Sequence, residues 1–471
     1  MNTLLLALPL SLIVIYLSSL DWRRAIKAVF ILVIIEGALR KWALPQASQL
    51  IYFFKDFILI GAYLKFFFFT REDHLRVVRN GVVITLIVMA FIWGVVQAFN
   101  PSLGSPIIGL FGLKNYFLYI PLLWLIPLLF DSEEELFRFL RAYLLLLIPV
   151  GLLAIAQFFS PPTSPLNVYA WGDEAPGIAV SGLNTVRVTG TFSYLSGYAT
   201  YLLACLCLLL PILARPQPRL WQLLTLTELV LLAVTSFMTL SRGVILGSIL
   251  IILSYFGIQA ITNLSVFFQS VRKIFLPALI GFIVVSQSFR YAFDSFFIRA
   301  TENEDVPGRI TSSFIEPITN LQFKGLDGYG LGATFQGNSI LRQIFQLAPG
   351  EVIPVYYENE MGRIMLEVGP VGFFLWYGLR LVLLYSLFSV YLKLNHPFLR
   401  QLALSAFVYQ GVTFISHVVY NHTANVYHWF FYGFILLLPY LERVDQWQRA
   451  QPPNFLYGQA THLSSTPYQQ P

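Results

Sequence analysis

Apolar runs of about 20 residues recur along this chain, and no other feature constrains its fold as strongly. In hydrocarbon, backbone N–H and C=O groups have no water to bond, so each run is expected to be a membrane-crossing helix. The runs fall near 3–19, 26–39, 50–69, 81–98, 108–130, 139–159, 190–213, 220–239, 241–258, 273–288, 370–389, 400–418 and 424–441. The shortest, 26–39, also suits a re-entrant or interfacial piece. The chain is 57% hydrophobic and 11% charged, where a soluble domain carries roughly 25% charged residues. The expected fold is an all-α polytopic membrane protein: a bundle of about 12–13 transmembrane helices with one large outer loop bearing short helices. Residues 1–288 would hold the first ten spans, 289–369 the large outer loop, 370–441 the last three spans, and 442–471 a disordered cytoplasmic tail rich in Pro and Gln. The N-terminus lacks a basic leader segment, so it reads as a first span rather than a removed signal peptide.

The net charge of +6 does not point to nucleic acid, because its distribution follows the membrane. With the N-terminus outside, the connections at 20–27, 70–80, 131–141, 214–219, 259–273, 389–400 and 442–449 are cytoplasmic, and each carries Lys or Arg. The opposite short connections carry few basic residues. The positive-inside rule therefore places 160–189 and 289–369 outside. Cys205 and Cys207 share one apolar run and are expected as small core residues rather than a disulfide or metal pair.

The long outer segment contains FKGLDGYGLGATFQG (323–337). Its glycines suit a tight turn with close backbone approach, and no Gly-Lys-Ser/Thr follows to make it a phosphate loop. Further on, YENEMGRIMLEVGPVG (357–372) reads as a short helix over 359–368, broken at Gly369-Pro370, where the next span begins. Spacing of four sets Asn359, Arg363 and Glu367 along one face, with Glu358 beside it.

Four cations lie at the outer ends of spans or in the outer loop: Lys114, Arg187, Arg242 and Arg309. Charge at membrane depth is costly and marks function by default. Singly, each also suits interfacial snorkelling or a salt bridge such as Arg363 with Glu367. Together they read as an anion site, because Arg captures phosphate bidentately. No Asp-x-Asp pair occurs in the outer segments, so no metal and no soluble cofactor is expected. His417 and His422 flank the last outer turn, within reach of an outer cavity or as interfacial hydrogen-bonders.

TLSRG at the junction of two spans, RVTGTF leading into a span, GRI before KGLDGYGLG in the long loop, and then ENE with LEVGPVG follow an order that resembles the O-antigen ligase / O-antigen polymerase family of bacterial envelope glycosyltransferases. The resemblance covers roughly residues 180–390 and extends to the rest by topology. It implies glycosyl transfer from an undecaprenyl-diphosphate-linked glycan donor to a glycan or lipid acceptor, at the outer face of the bacterial inner membrane. A chain-length regulator or a flippase would be a partner, alongside the bilayer itself. It also implies that Arg187, Arg242 and Arg309 bind the carrier diphosphate. Ligase members place a His where this chain has Glu358, which favours a polymerase-like member. Glu358 is then the candidate base, or else a helix-terminal acid meeting the dipole. Arg242 and Arg309 share the catalytic set with it. Lys114, Arg187, Asn359, Arg363, Gly330, His417 and His422 form the substrate-facing set. A glycan or anion transporter using Glu36, Lys55 and Asp56 is the competing reading, although paired broken helices are not evident. A non-catalytic scaffold is a third.

Overall fold

A computed structural model describes residues 2–70, 81–170, 185–268, 271–272, 287, 289–302 and 306–450. In chain order the helices are α1 (Asn2–Leu20), α2 (Trp22–Ala38), α3 (Ser48–Leu64), α4 (Gly81–Ala98), α5 (Pro106–Phe117), the single turn α6 (Leu122–Leu125), α7 (Glu133–Leu144), α8 (Leu147–Phe159), α9 (Leu195–Ala214), α10 (Arg219–Met238) and α11 (Arg242–Thr262). After the connection come α12 (Arg290–Glu302), α13 (Val306–Lys324), α14 (Asn338–Phe345), α15 (Glu360–Lys393), α16 (Pro397–Val412) and α17 (His422–Ala450). The described residues hold no strand. Seven stretches among them are long and apolar enough to cross a membrane: Gly81–Ala98, Pro106–Leu128, Glu133–Phe159, Leu195–Ala214, Arg219–Met238, Arg242–Thr262 and Glu360–Lys393. The protein is thus an all-α, multi-pass membrane protein.

Other expected spans form shorter helices. α2 and α3 have 17 residues each and α16 has 16, about 24–26 Å at 1.5 Å per residue. The expected span 273–288 lies outside the described residues apart from residue 287, as do Asp173, Glu174 and the far tail. Residues 442–450, expected in the tail, are instead the end of α17, which runs as helix to Ala450.

Helix starts follow their local chemistry. Asp21 caps α2 by accepting from Arg24 N at 3.0 Å. Ser132 caps α7, whose first turn holds Glu133, Glu134 and Glu135 against the helix dipole. Pro106 and Pro397 open α5 and α16, where a missing N–H costs nothing. The interior is built around α9 and α17: Tyr198, Tyr201, Cys205 and Cys207 on one, and Trp429, Phe431 and Phe434 on the other, are almost fully buried. Both cysteines are free thiols. α1, α4 and α11 instead expose Leu, Ile, Val and Phe, as lipid-facing helices do.

α15 is one helix by sequence and two by geometry. Gly369 has φ +61° and ψ −176°. The break frees the carbonyls at the end of the first arm, and each finds a new donor. Tyr329 N donates to Leu366 O at 2.7 Å, Gly330 N to Glu367 O at 2.9 Å, and Trp93 Nε1 to Val368 O at 2.8 Å. The glycine-rich turn therefore caps the first arm. An unbroken helix would hold Glu360 and Arg380, 20 residues apart, about 30 Å from each other. Instead, Arg380 Nη1 lies 3.2 Å from Glu360 Oε1. Two extended side chains in contact span no more than about 15 Å, so the arms close to about 60° or less.

A side chain at Gly369 would need a left-handed backbone and would put its Cβ 2.1 Å from Leu326 O. Gly369→Ala is expected to cost about 3 kcal/mol. Gly378→Ala, where a Cβ meets nothing within 4 Å, should leave stability unchanged or slightly raised. Thermal unfolding of the two variants in one detergent checks this, and equal midpoints would contradict it.

Candidate functional site

The charged side chains singled out in the sequence gather in three polar centres. The first joins α2, α3, α5 and α17. Glu36 Oε2 pairs with Lys55 Nζ at 2.5 Å and Glu36 Oε1 with Arg40 Nη1 at 3.6 Å. Asp56 Oδ2 pairs with Lys114 Nζ at 2.7 Å, and its Oδ1 accepts from Tyr119 OH at 2.6 Å. Lys114 Nζ also lies 3.0 Å from His422 Nε2, and Tyr52 OH lies 3.1 Å from the same nitrogen. Asn115 Oδ1 lies 3.1 Å from that nitrogen as well. Glu36, Lys55 and Asp56 are buried, and each meets an opposite charge within the centre, as burial demands. Above this centre is a cavity of about 160 Å3 lined by Glu36, Arg40, Tyr52, Lys55, Ser193 and His422, among others. Tyr194, also on its wall, stacks on Tyr169 with ring centroids 4.7 Å apart.

The second centre is the turn between α10 and α11. Arg242 opens α11, and Arg187 Nε donates to Thr239 O at 3.3 Å. Val188 N donates to Met238 O at 3.4 Å. Between them, Leu240 is buried with φ +51°, a backbone state that costs a branched residue about 1–3 kcal/mol. The fold thus brings Arg187 and Arg242 to one strained turn. The segment carrying Arg187 runs on to Ser193 on the cavity wall. Along it, Lys41 Nζ donates to Thr189 Oγ1 at 3.0 Å and to Gly190 O at 2.8 Å. Both of these partners are uncharged, and burial pushes its amine down to about 7.

The third centre explains the charges of 357–372. Asn359 sits before α15 and binds α13: its Nδ2 donates to Glu316 Oε1 at 2.6 Å and Ser312 Oγ at 3.0 Å, and its Oδ1 accepts from Ser313 Oγ at 3.2 Å. Glu360 accepts from Val418 N and from Val419 N at 2.9 Å and pairs with Arg380. Glu367 is fully buried. It accepts from Tyr116 OH at 2.8 Å, Thr334 N at 2.8 Å, Thr334 Oγ1 at 2.6 Å and Tyr420 OH. Arg363 does not pair directly with Glu367. Its guanidinium binds Thr334 Oγ1 at 3.0 Å and Thr334 O at 2.6 Å and lies 4.5 Å from the Tyr420 ring. Thr334 bridges the two charges.

The sequence-derived set therefore divides. Lys114 and His422 meet in the first centre and Arg187 and Arg242 in the second. Asn359, Arg363 and Gly330 hold structure in the third: Gly330, at φ +96°, packs against Leu103. Glu358 and His417 are exposed at the edge of the third centre. Arg309 lies in the first turn of α13, with its side chain outside the described residues. Arg40, Lys41 and Tyr52 were not in the set. Their signal was an i, i+4 Glu36–Arg40 pair beside a Lys55-Asp56 doublet in an apolar run. Among the described residues no group of His, Cys, Asp and Glu is arranged to hold a metal ion. No protein-family model matches the chain, and no curated protein matches it.

Lys114→Met would leave Asp56 buried and uncompensated and should cost about 3–5 kcal/mol. Adding Asp56→Asn in the same chain should recover a large part of that loss. Unfolding midpoints of the single and double variants measure the coupling, and purely additive losses would show that the pair is not held as described.

Proposed function

We propose that the protein transfers glycan units from a polyprenyl diphosphate carrier to a glycan acceptor, as a polymerase at the outer face of a bacterial inner membrane. The observation that carries this reading is the convergence of Arg187 and Arg242 on one strained turn at the outward end. Strain of this kind collects where geometry serves function. The motif order in the sequence supports the same reading. A diphosphate leaving group needs its growing negative charge stabilised, and fixed guanidinium groups in a partly dry site do that. The bond from the anomeric carbon to the diphosphate breaks as the acceptor oxygen attacks from the opposite side, which inverts that carbon. The acceptor hydroxyl passes its proton to Glu358, which stands exposed beside the Asn359 cap. The cavity beneath Ser193, with its carboxylate already paired and aromatic rings on its wall, suits a sugar ring.

Transfer to a lipid acceptor uses the same chemistry and differs only in what enters the acceptor side. A transporter is the second reading, favoured by one observation: the linked buried pairs Glu36–Lys55 and Asp56–Lys114, since paired ionisable groups inside a bundle also serve ion-coupled transport.

Reconstitution with a polyprenyl-diphosphate-linked oligosaccharide tests the proposal. The wild-type chain should lengthen the glycan. Arg187→Ala and Arg242→Ala should each slow this by about 100- to 1000-fold, and Glu358→Gln should abolish it, with folding unchanged. Movement of the lipid-linked unit across the bilayer without any new glycosidic bond would establish the transporter instead.

A further inference from the structure

α13 has its polarity inside out. The face packed on α15 carries Ser313 and Asn320, which are buried, with Ser312 and Glu316 half-buried beside them. Asn320 Nδ2 donates to Gly362 O at 3.3 Å, and Asn359 ties down Glu316 and Ser312. The opposite face carries Ile310, Phe314, Ile315, Ile318 and Leu321, between 41% and 69% exposed; Thr311, Thr319 and Gln322 are exposed too, and among the residues of this helix whose side chains are described no charged one is. In water a helix turns its apolar stripe inward, and in lipid it turns it outward.

Position along the bundle gives a second, separate argument. Contacts with the first arm of α15 run in parallel order: Ser312 with Asn359, Asn320 with Gly362, and Leu326 with Gly369. That arm starts at Glu360 beside Arg380 and rises to the break at Gly369. Arg380 lies about 20 Å along its helix from the far end at Lys393, well inside a hydrocarbon core of about 30 Å. Arg380 Nη2 also reaches Thr413 O at 3.3 Å, just past the end of the short α16. The N-terminal half of α13 therefore sits at the depth of Arg380, below the top of the span. The exposed apolar surface is also continuous. Leu326, 66% exposed, packs its carbonyl on Gly369, and the span resumes with Val371 and Phe374 exposed.

We propose that α13 is sunk in the leaflet on the side of the long connection, with lipid acyl chains as the partner of its Ile310–Leu321 face. α13 and the first arm of α15 then form a re-entrant helical pair rather than helices lying on the membrane surface. The Ser312–Asn359–Glu358 edge then opens within the leaflet. The inference is independent of the glycosyl-transfer reading.

Spin labels on cysteines introduced at Ile310, Phe314, Ile318 and Leu321, and at Val352 as a reference, test it in phosphatidylcholine–phosphatidylglycerol liposomes. Cys205 and Cys207 are fully buried and do not compete for label. The four α13 labels should be relaxed strongly by oxygen and poorly by a water-soluble nickel chelate, and Ile310 should read deeper than Leu321. Val352, 83% exposed, should show the opposite balance. Nickel access at Phe314 and Ile318 equal to that at Val352 would overturn the proposal. So would dipolar broadening at these sites that vanishes on dilution with unlabelled protein, which would make the face an interface between copies.

Discussion

The buried pair of Glu360 and Arg380 sets the geometry of one whole end of the bundle. Neither group is more than 2% exposed, and an ion at that depth persists only when its partners are complete. Glu360 meets two backbone N–H groups of the 418–419 turn besides the guanidinium, and Arg380 meets the carbonyl of Thr413. These contacts require the first arm of α15 to fold back along the second. That demands a residue free to take φ +61° at the break, and new donors for the carbonyls it exposes. The glycine-rich turn and Trp93 supply those donors. α13 follows the same arm through Asn359. One ion pair thus fixes the places of four separate stretches of sequence.

The second buried set works by pairing. Glu36 is shared between Lys55 and Arg40, and Asp56 between Lys114 and Tyr119. Three cations, Arg40, Lys55 and Lys114, meet two anions there, so the cavity floor presents paired groups with a positive excess. The turn with Arg187 and Arg242 adds to it and is connected to the cavity through Thr189, Gly190 and Ser193.

Hydropathy made the helical, membrane-crossing architecture legible, because the requirement for internal backbone bonding leaves so little choice. The break at Gly369-Pro370 was legible for a similarly local reason: proline cannot sit inside a helix with its N–H bond intact. Partner choice was not legible. Helical spacing sets Arg363 beside Glu367, yet Thr334, from a distant turn, stands between them. Lys114 looked like a cation available to a ligand, and Asp56 from another helix neutralises it. Spacing reports neighbours on one helix, while a buried charge takes whichever partner the packing of several helices delivers.

The same logic separates the two arginines of the α10–α11 turn from the other charges at this end. Arg363 and Arg380 are buried, each with a dedicated polar acceptor and an aromatic ring against the guanidinium, so a ligand would have to displace structure to reach them. Arg187 and Arg242 are only half-buried and sit on a turn whose middle residue, Leu240, holds a backbone conformation that nothing in its own side chain favours. A turn can relax that strain by moving a few ångströms, whereas a capped helix end cannot. The arginines most able to close on an incoming anion are therefore those held by the strained backbone, and the most deeply buried arginines are the least able to do so.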